Sequence, residues 1–116
     1  MGEKMGTDAA FAEHALDQVR GAGLVATRKM FGEYALYCDG KVVALLCDNQ
    51  FFLKPLPEVL AMIEAPAYGL PYPGAKPHLL LTGELDDTDL MVRLVRRVAE
   101  LVPAPKPRKP KAAKKA

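Results

Sequence analysis

With 116 residues, 50% of them hydrophobic and 26% charged, the chain has the length and composition of one globular domain with its own core. No apolar run nears the roughly 18 residues that span a bilayer. The start Met1-Gly-Glu-Lys-Met-Gly6 also lacks the apolar stretch of a secretory leader, so a cytoplasmic protein with no membrane partner is expected.

The net charge of +2 conceals an asymmetry. Residues 103–116 hold six basic groups and no acidic one, which leaves residues 1–102 with ten basic against fourteen acidic, a net of −4. Three segments are therefore expected: a disordered start at 1–6, a folded domain at 7–102 and a disordered basic Pro/Lys tail at 103–116.

Thr7 or Asp8 can cap a first helix that runs to about Arg20 and stops at Gly21 or Gly23. Phe11, Ala15, Leu16 and Val19 fall at helical spacing and predict its buried stripe. His14 lies beside that stripe as a boundary residue. Strands are then predicted over 24–31, 33–38, 41–47 and 50–54. Gly32 marks a tight turn or bulge, Asp39-Gly40 is a strong hairpin signal, and Asp48-Asn49-Gln50 offers a further turn.

A two-residue turn at Asp39-Gly40 pairs positions whose numbers sum to 79, so Cys38 faces Lys41. Extended over the whole hairpin, that register puts Tyr34, Leu36, Cys38, Val43, Leu45 and Cys47 on one face. Ala35, Tyr37, Val42, Ala44 and Leu46 take the other. Both faces are apolar, whereas a sheet with one wet face alternates cleanly. Either helices cover both faces or a partner, such as a second copy in a homodimer, covers one; helices on one face and some association on the other is the expectation. In the same register the two cysteines sit on the order of 20 Å apart along the hairpin, too far for a disulfide.

Pro57 suits the first position of a short helix over 58–65, with Val59, Leu60, Met62 and Ile63 inward. Pro66 to Pro77, with four prolines and two glycines, predicts a stiff loop without regular structure. Tyr68, Tyr72 and Lys76 give that loop a surface suited to recognition. The alternative is a cover over one end of the sheet, with both tyrosines packed inward. A fifth strand is predicted at 78–82, and Asp86 or Asp87 caps a last helix that ends before Pro103. Met91, Leu94, Val95, Val98, Leu101 and Val102 form its inner stripe. Arg93, Arg96 and Arg97 make an outer ridge, within reach of Asp89 and Glu100 at helical i,i+4 spacing.

Little here proposes catalysis. The chain has no serine, and the spacing gives neither cysteine a histidine base. Two Cys and two His lack the short spacings of structural zinc sites, and no glycine-rich phosphate loop follows a strand. No cofactor and no enzyme activity is expected. The tail can do more: Lys106, Arg108, Lys109, Lys111, Lys114 and Lys115 form a polycation with weak, sequence-independent affinity for DNA or RNA. A purely solubilising tail is the other reading. In the body, Arg28, Lys29 and Tyr37 join Tyr68, Tyr72 and Lys76 as candidate partner-binding residues.

Arg28-Lys-Met-Phe-Gly32, Tyr34-Ala-Leu-Tyr37, Asp39-Gly40, Ala44-Leu-Leu-Cys-Asp48 and Phe51-Phe-Leu-Lys-Pro55 together resemble the N-terminal domain of the TfoX/Sxy family. Pro71-Tyr-Pro-Gly-Ala-Lys-Pro-His78 looks like the loop of its short, single-domain members. The resemblance covers about residues 8–102. It implies an α+β two-layer fold: an antiparallel sheet of about five strands with an N-terminal, an inserted and a C-terminal helix. The family's namesakes are regulators of natural competence that act with a cyclic-AMP receptor protein at promoters. The resemblance therefore implies a non-enzymatic regulatory module whose protein partner belongs to the transcription machinery.

Overall fold

The computed structural model describes residues 6–103. Residues 1–5 of the expected disordered start, and Lys106, Arg108, Lys109, Lys111, Lys114 and Lys115 of the tail, lie outside the described residues. Helix α1 (Ala9–Gln18) is followed by strands β1 (Val25–Met30), β2 (Glu33–Cys38), β3 (Lys41–Cys47) and β4 (Gln50–Leu53). The short helix α2 (Pro57–Leu60), strands β5 (Ala67–Gly69) and β6 (His78–Leu81), and helix α3 (Thr88–Leu101) complete the fold. All the strands join in one antiparallel sheet of order β1-β2-β3-β4-β6-β5. The fold is α+β, with N-terminal, inserted and C-terminal helices. Among the described residues no helix is long and apolar enough to cross a membrane.

Three consecutive two-residue hairpins build the first four strands. Phe31-Gly32, Asp39-Gly40 and Asp48-Asn49 each hold both turn residues at positive φ, between 50° and 82°. That geometry matches the right-handed twist of the flanking strands. Asp, Asn and Gly tolerate it for local reasons; Phe31 does not.

The core lies between the helices and one sheet face. From the sheet come Leu36, Cys38, Val43, Ala44, Leu46, Phe51, Leu53, Leu79 and Leu81; from α3 come Met91, Leu94, Val95 and Val98. Ala12 and Ala15 of α1, Val19 just after it and Val59 of α2 close the cluster. The side chain of Asp87 accepts from the Leu90 N–H at 3.2 Å, capping α3 as expected. Arg96 pairs with Glu100, as its spacing predicts, but also reaches Asp39 Oδ2 and the Ala22 carbonyl, so it ties α3 to the start of β1. Thr7, proposed as a cap, is instead a clip. Its buried hydroxyl lies 2.7 Å from Glu33 Oε1 and 3.0 Å from the Leu46 carbonyl, and it accepts the Asn49 N–H.

Two sequence expectations are corrected. The register that sums to 79 holds for Cys38–Lys41 and Tyr37–Val42, then shifts by one between Tyr37 and Leu36. Ala44, Leu45 and Leu46 face Leu36, Ala35 and Tyr34 instead, and Val43 is the extra residue of a β-bulge. The bulge swaps the assignment of β3: Ala44 and Leu46 join Leu36 and Cys38 toward the helices, while Leu45 and Cys47 join Ala35 and Tyr37 on the outer face. The second correction is β5, a sixth strand inside the proline-rich stretch. It pairs Ala67, Tyr68 and Gly69 with Leu80, Leu79 and His78. As the edge strand it has one unpaired side, which is where flanking prolines are tolerated.

Candidate functional site

The outer face has its own small apolar group: Ala35, Cys47 and Phe52 are buried there yet stand apart from the main core. The segment after β5 roofs Phe52. Leu70, Pro71, Tyr72 and Pro73 line a shallow hollow with Phe52, Gln50, Glu33 and Asp48, and Pro71 is buried. Gly69 lets the strand pass close to this group: a Cβ at that position would lie 3.0 Å from the Phe52 ring, which would have to shift to admit it. The proline loop is thus a cover on this face, but its tyrosines do not pack inward: Tyr68 and Tyr72 stay half exposed.

The roof stops short of β1 and β2 and leaves a cleft of about 440 Å³. Met30, Phe31, Glu33, Tyr34, Leu45, Cys47 and Tyr72 line it, so Glu33 is its one carboxylate. Phe31 stands at its rim, fully exposed at the hairpin tip and at φ 50°. A bulky residue held in the left-handed region and in water gains nothing from folding. Such strain points to a use elsewhere.

Of the sequence candidates, Tyr72 lines this cleft. Arg28 and Tyr37 line a neighbouring groove of about 380 Å³ with Leu24, Ala26, Thr27 and Gly40. Lys29 follows Arg28 on β1 and is exposed on the opposite face of the sheet. Tyr68 lies across the sheet on the far edge strand, and Lys76 is exposed in the proline loop. Sequence reasoning missed Met30, Phe31 and Leu45. The expected strand over 24–31 includes Phe31, whereas Phe31 and Gly32 form a two-residue turn.

The thiols are poor nucleophiles. Both are free and buried, Cys38 toward the helices and Cys47 on the outer face. Burial, with Glu33 and Asp48 adding to it, pushes the Cys47 thiol up to about 11. Burial also raises Cys38, helped by Asp39 and opposed by Arg96 and Lys41. His14 is half exposed on α1, 3.9 Å from Asp86, and His78 lies outside the cleft with Nδ1 2.8 Å from the Lys76 carbonyl. Among the described residues no group of three His, Cys, Asp or Glu could hold a metal.

The TfoX N-terminal domain family matches this sequence over residues 17–101, most of the chain. The protein belongs to that family. An uncharacterized 12.7 kDa protein in the trpE 5′ region of Spirochaeta aurantia is 44% identical over 107 residues, which cover 92% of this chain and 93% of that relative.

For this TfoX N-terminal domain the raised Cys47 thiol has a pH consequence. Unfolded, the thiol ionises near its ordinary value of 9.0; folded, it keeps its proton to about 11. Its contribution to stability is fully present below about pH 9 and is lost progressively as pH rises toward about 11. Urea midpoints across that window are expected to fall more steeply for the natural chain than for Cys47→Ala. Parallel slopes would mean that the buried thiol does not contribute.

Proposed function

We propose that this chain is a non-enzymatic regulatory module, related to competence or transcription, that docks a protein partner on the outer sheet face. The observation that carries the reading is Phe31, an exposed aromatic held at positive φ on the rim of an apolar cleft. Large, rigid aromatics beside a pocket are what protein interfaces use as anchors. Tyr72 forms another wall of the same cleft, and Arg28 on β1 with Tyr37 on β2 extends the surface. Lys29 sits on the opposite face of β1, and Tyr68 and Lys76 lie away from the cleft. Chemistry at the cleft is disfavoured, because its thiol stays protonated at neutral pH and it holds no histidine. Family membership supports a cytoplasmic partner from the transcription machinery. The test is affinity purification from the native host: a partner retained by the natural chain and lost by Phe31→Asn, a variant that keeps the turn, supports the reading. Equal retention by both removes the cleft from it.

The tail adds loose nucleic-acid affinity. If Lys106, Arg108, Lys109, Lys111, Lys114 and Lys115 all meet phosphates, binding to duplex DNA is expected to weaken with salt at a log–log slope approaching roughly −5. A version ending at Val102, with its net −4 body, is expected to lose that binding. Anisotropy titrations of both forms check this. Failure of the full chain to bind at low salt leaves the tail a solubilising role.

A further inference from the structure

β1 is an edge strand with one open side. Phe31-Gly32 is a two-residue turn, so Met30 and Glu33 exchange backbone bonds, and alternation sends the backbone groups of Arg28 and Ala26 the same way, toward β2. The Asp39 N–H donating to the Leu24 carbonyl at 2.8 Å belongs to the same row. The N–H and C=O groups of Val25, Thr27 and Lys29 therefore point away from the sheet. Among the described residues no backbone group bonds to them.

This edge is charged and flanked by apolar surface. Arg28 and Lys29 are exposed, and the ion pairs among the described residues do not include them. By register Arg28 lies on the outer face with Met30, and Lys29 on the helix face. Leu24 is 79% exposed at one end of the strand; Met30, at 40%, and Phe31 mark the other. The Asp39 carboxylate accepts the Leu24 N–H at 2.9 Å, which holds the first end in place.

We infer that β1 takes an acidic, extended peptide segment of the partner as an added strand, with an apolar side chain of that segment in the cleft beside Phe31. The inference rests on the interaction reading above and names the chemistry of the partner. Main-chain bonds to Val25, Thr27 and Lys29 supply affinity, and side chains on alternate faces supply specificity. In an antiparallel addition the residue opposite Met30 enters the cleft. The next meets Lys29 on the helix face, and the one after it meets Arg28 on the outer face. The recognised sequence then reads apolar–acidic–acidic. A second copy fits less well, because β1 carries Arg28 and Lys29 and no acid, so pairing two such edges gives those cations no opposite charge. Lys and Arg on an edge strand are a known obstacle to self-pairing. Nucleic acid fits poorly as well, since the two cations project from opposite faces and the outward carbonyls would oppose phosphates.

The test uses the full chain and a labelled peptide, Thr-Leu-Glu-Glu-Val-Thr-Val, beside its counterpart with both Glu replaced by Lys. The acidic peptide is expected to bind about tenfold tighter, as two half-exposed ion pairs allow. The largest amide shifts and the slowest hydrogen exchange are expected at Val25, Thr27 and Lys29. Thr27→Pro removes an outward N–H, a change edge strands tolerate, and is expected to abolish binding. The charge-reversed double variant Arg28→Glu, Lys29→Glu keeps the basic tail and is expected to prefer the Lys peptide. Acidic-peptide binding that survives that reversal belongs to the tail and overturns the inference. So does concentration-dependent dimerisation that protects the same three amides. A partner lost by Phe31→Asn but kept by Thr27→Pro would leave the cleft reading standing and remove the added strand.

Discussion

Phe51→Ala is expected to cost about 3–5 kcal/mol of folding free energy, a large part of the roughly 5–15 kcal/mol available to a domain of this kind. Phe51 is fully buried in β4, with Leu46 opposite it on β3 and Leu81 on β6, and all three belong to the cluster under the helices. Removing the ring there leaves a cavity walled by strands that cannot close in without breaking their ladders. Its neighbour Phe52 is the control. Phe52 is nearly as buried, but it faces the other way, opposite Leu45 and Leu80, under the proline loop. A loop can settle into the space and water can enter from the adjoining hollow, so Phe52→Ala is expected to cost clearly less. Urea midpoints of the two variants check the ordering. A larger loss for Phe52 would put the main core on the wrong side of the sheet.

That ordering could not be read from the sequence, for a physical reason. Asp39-Gly40 and Asp48-Asn49 announce their turns because their side chains suit positive φ, and the strand order through β4 follows from them. Helix α3 is equally legible: Met91, Leu94, Val95 and Val98 recur at helical spacing, and all are buried. The bulge at Val43 leaves no such mark. With Val42, Val43, Ala44, Leu45 and Leu46 apolar in succession, a slip of one residue exchanges like for like and alternation cannot report it. β5 hid for the opposite reason: Pro66, Leu70 and Pro71 bracket a three-residue strand whose pairing is decided by β6. At the cleft, Tyr72 was legible as aromatic surface. Cys47 and Leu45 had first to be carried to the outer face by the bulge.

Phe31→Asn is expected to raise stability and lower partner affinity at once. Asparagine tolerates the left-handed region that costs a bulky residue about 1–2 kcal/mol, and an exposed ring gives up no packing when it is removed. A gain of roughly 0.5–1 kcal/mol is therefore expected in denaturant unfolding. Asparagine followed by glycine is also the preferred pair for a two-residue hairpin of this type, so the turn and the position of β1 are retained. Against that gain, loss of an aromatic anchor at the cleft rim is expected to weaken partner binding by about 30-fold. The opposite signs give the test its force. A residue kept for packing would lose stability when replaced, and one kept for no reason would change nothing in binding. Only a residue held in strain for the sake of contact moves the two measurements apart. Unfolding midpoints and partner titrations on the same pair of proteins read both, and a destabilising Phe31→Asn would remove strain as the reason Phe31 stands out.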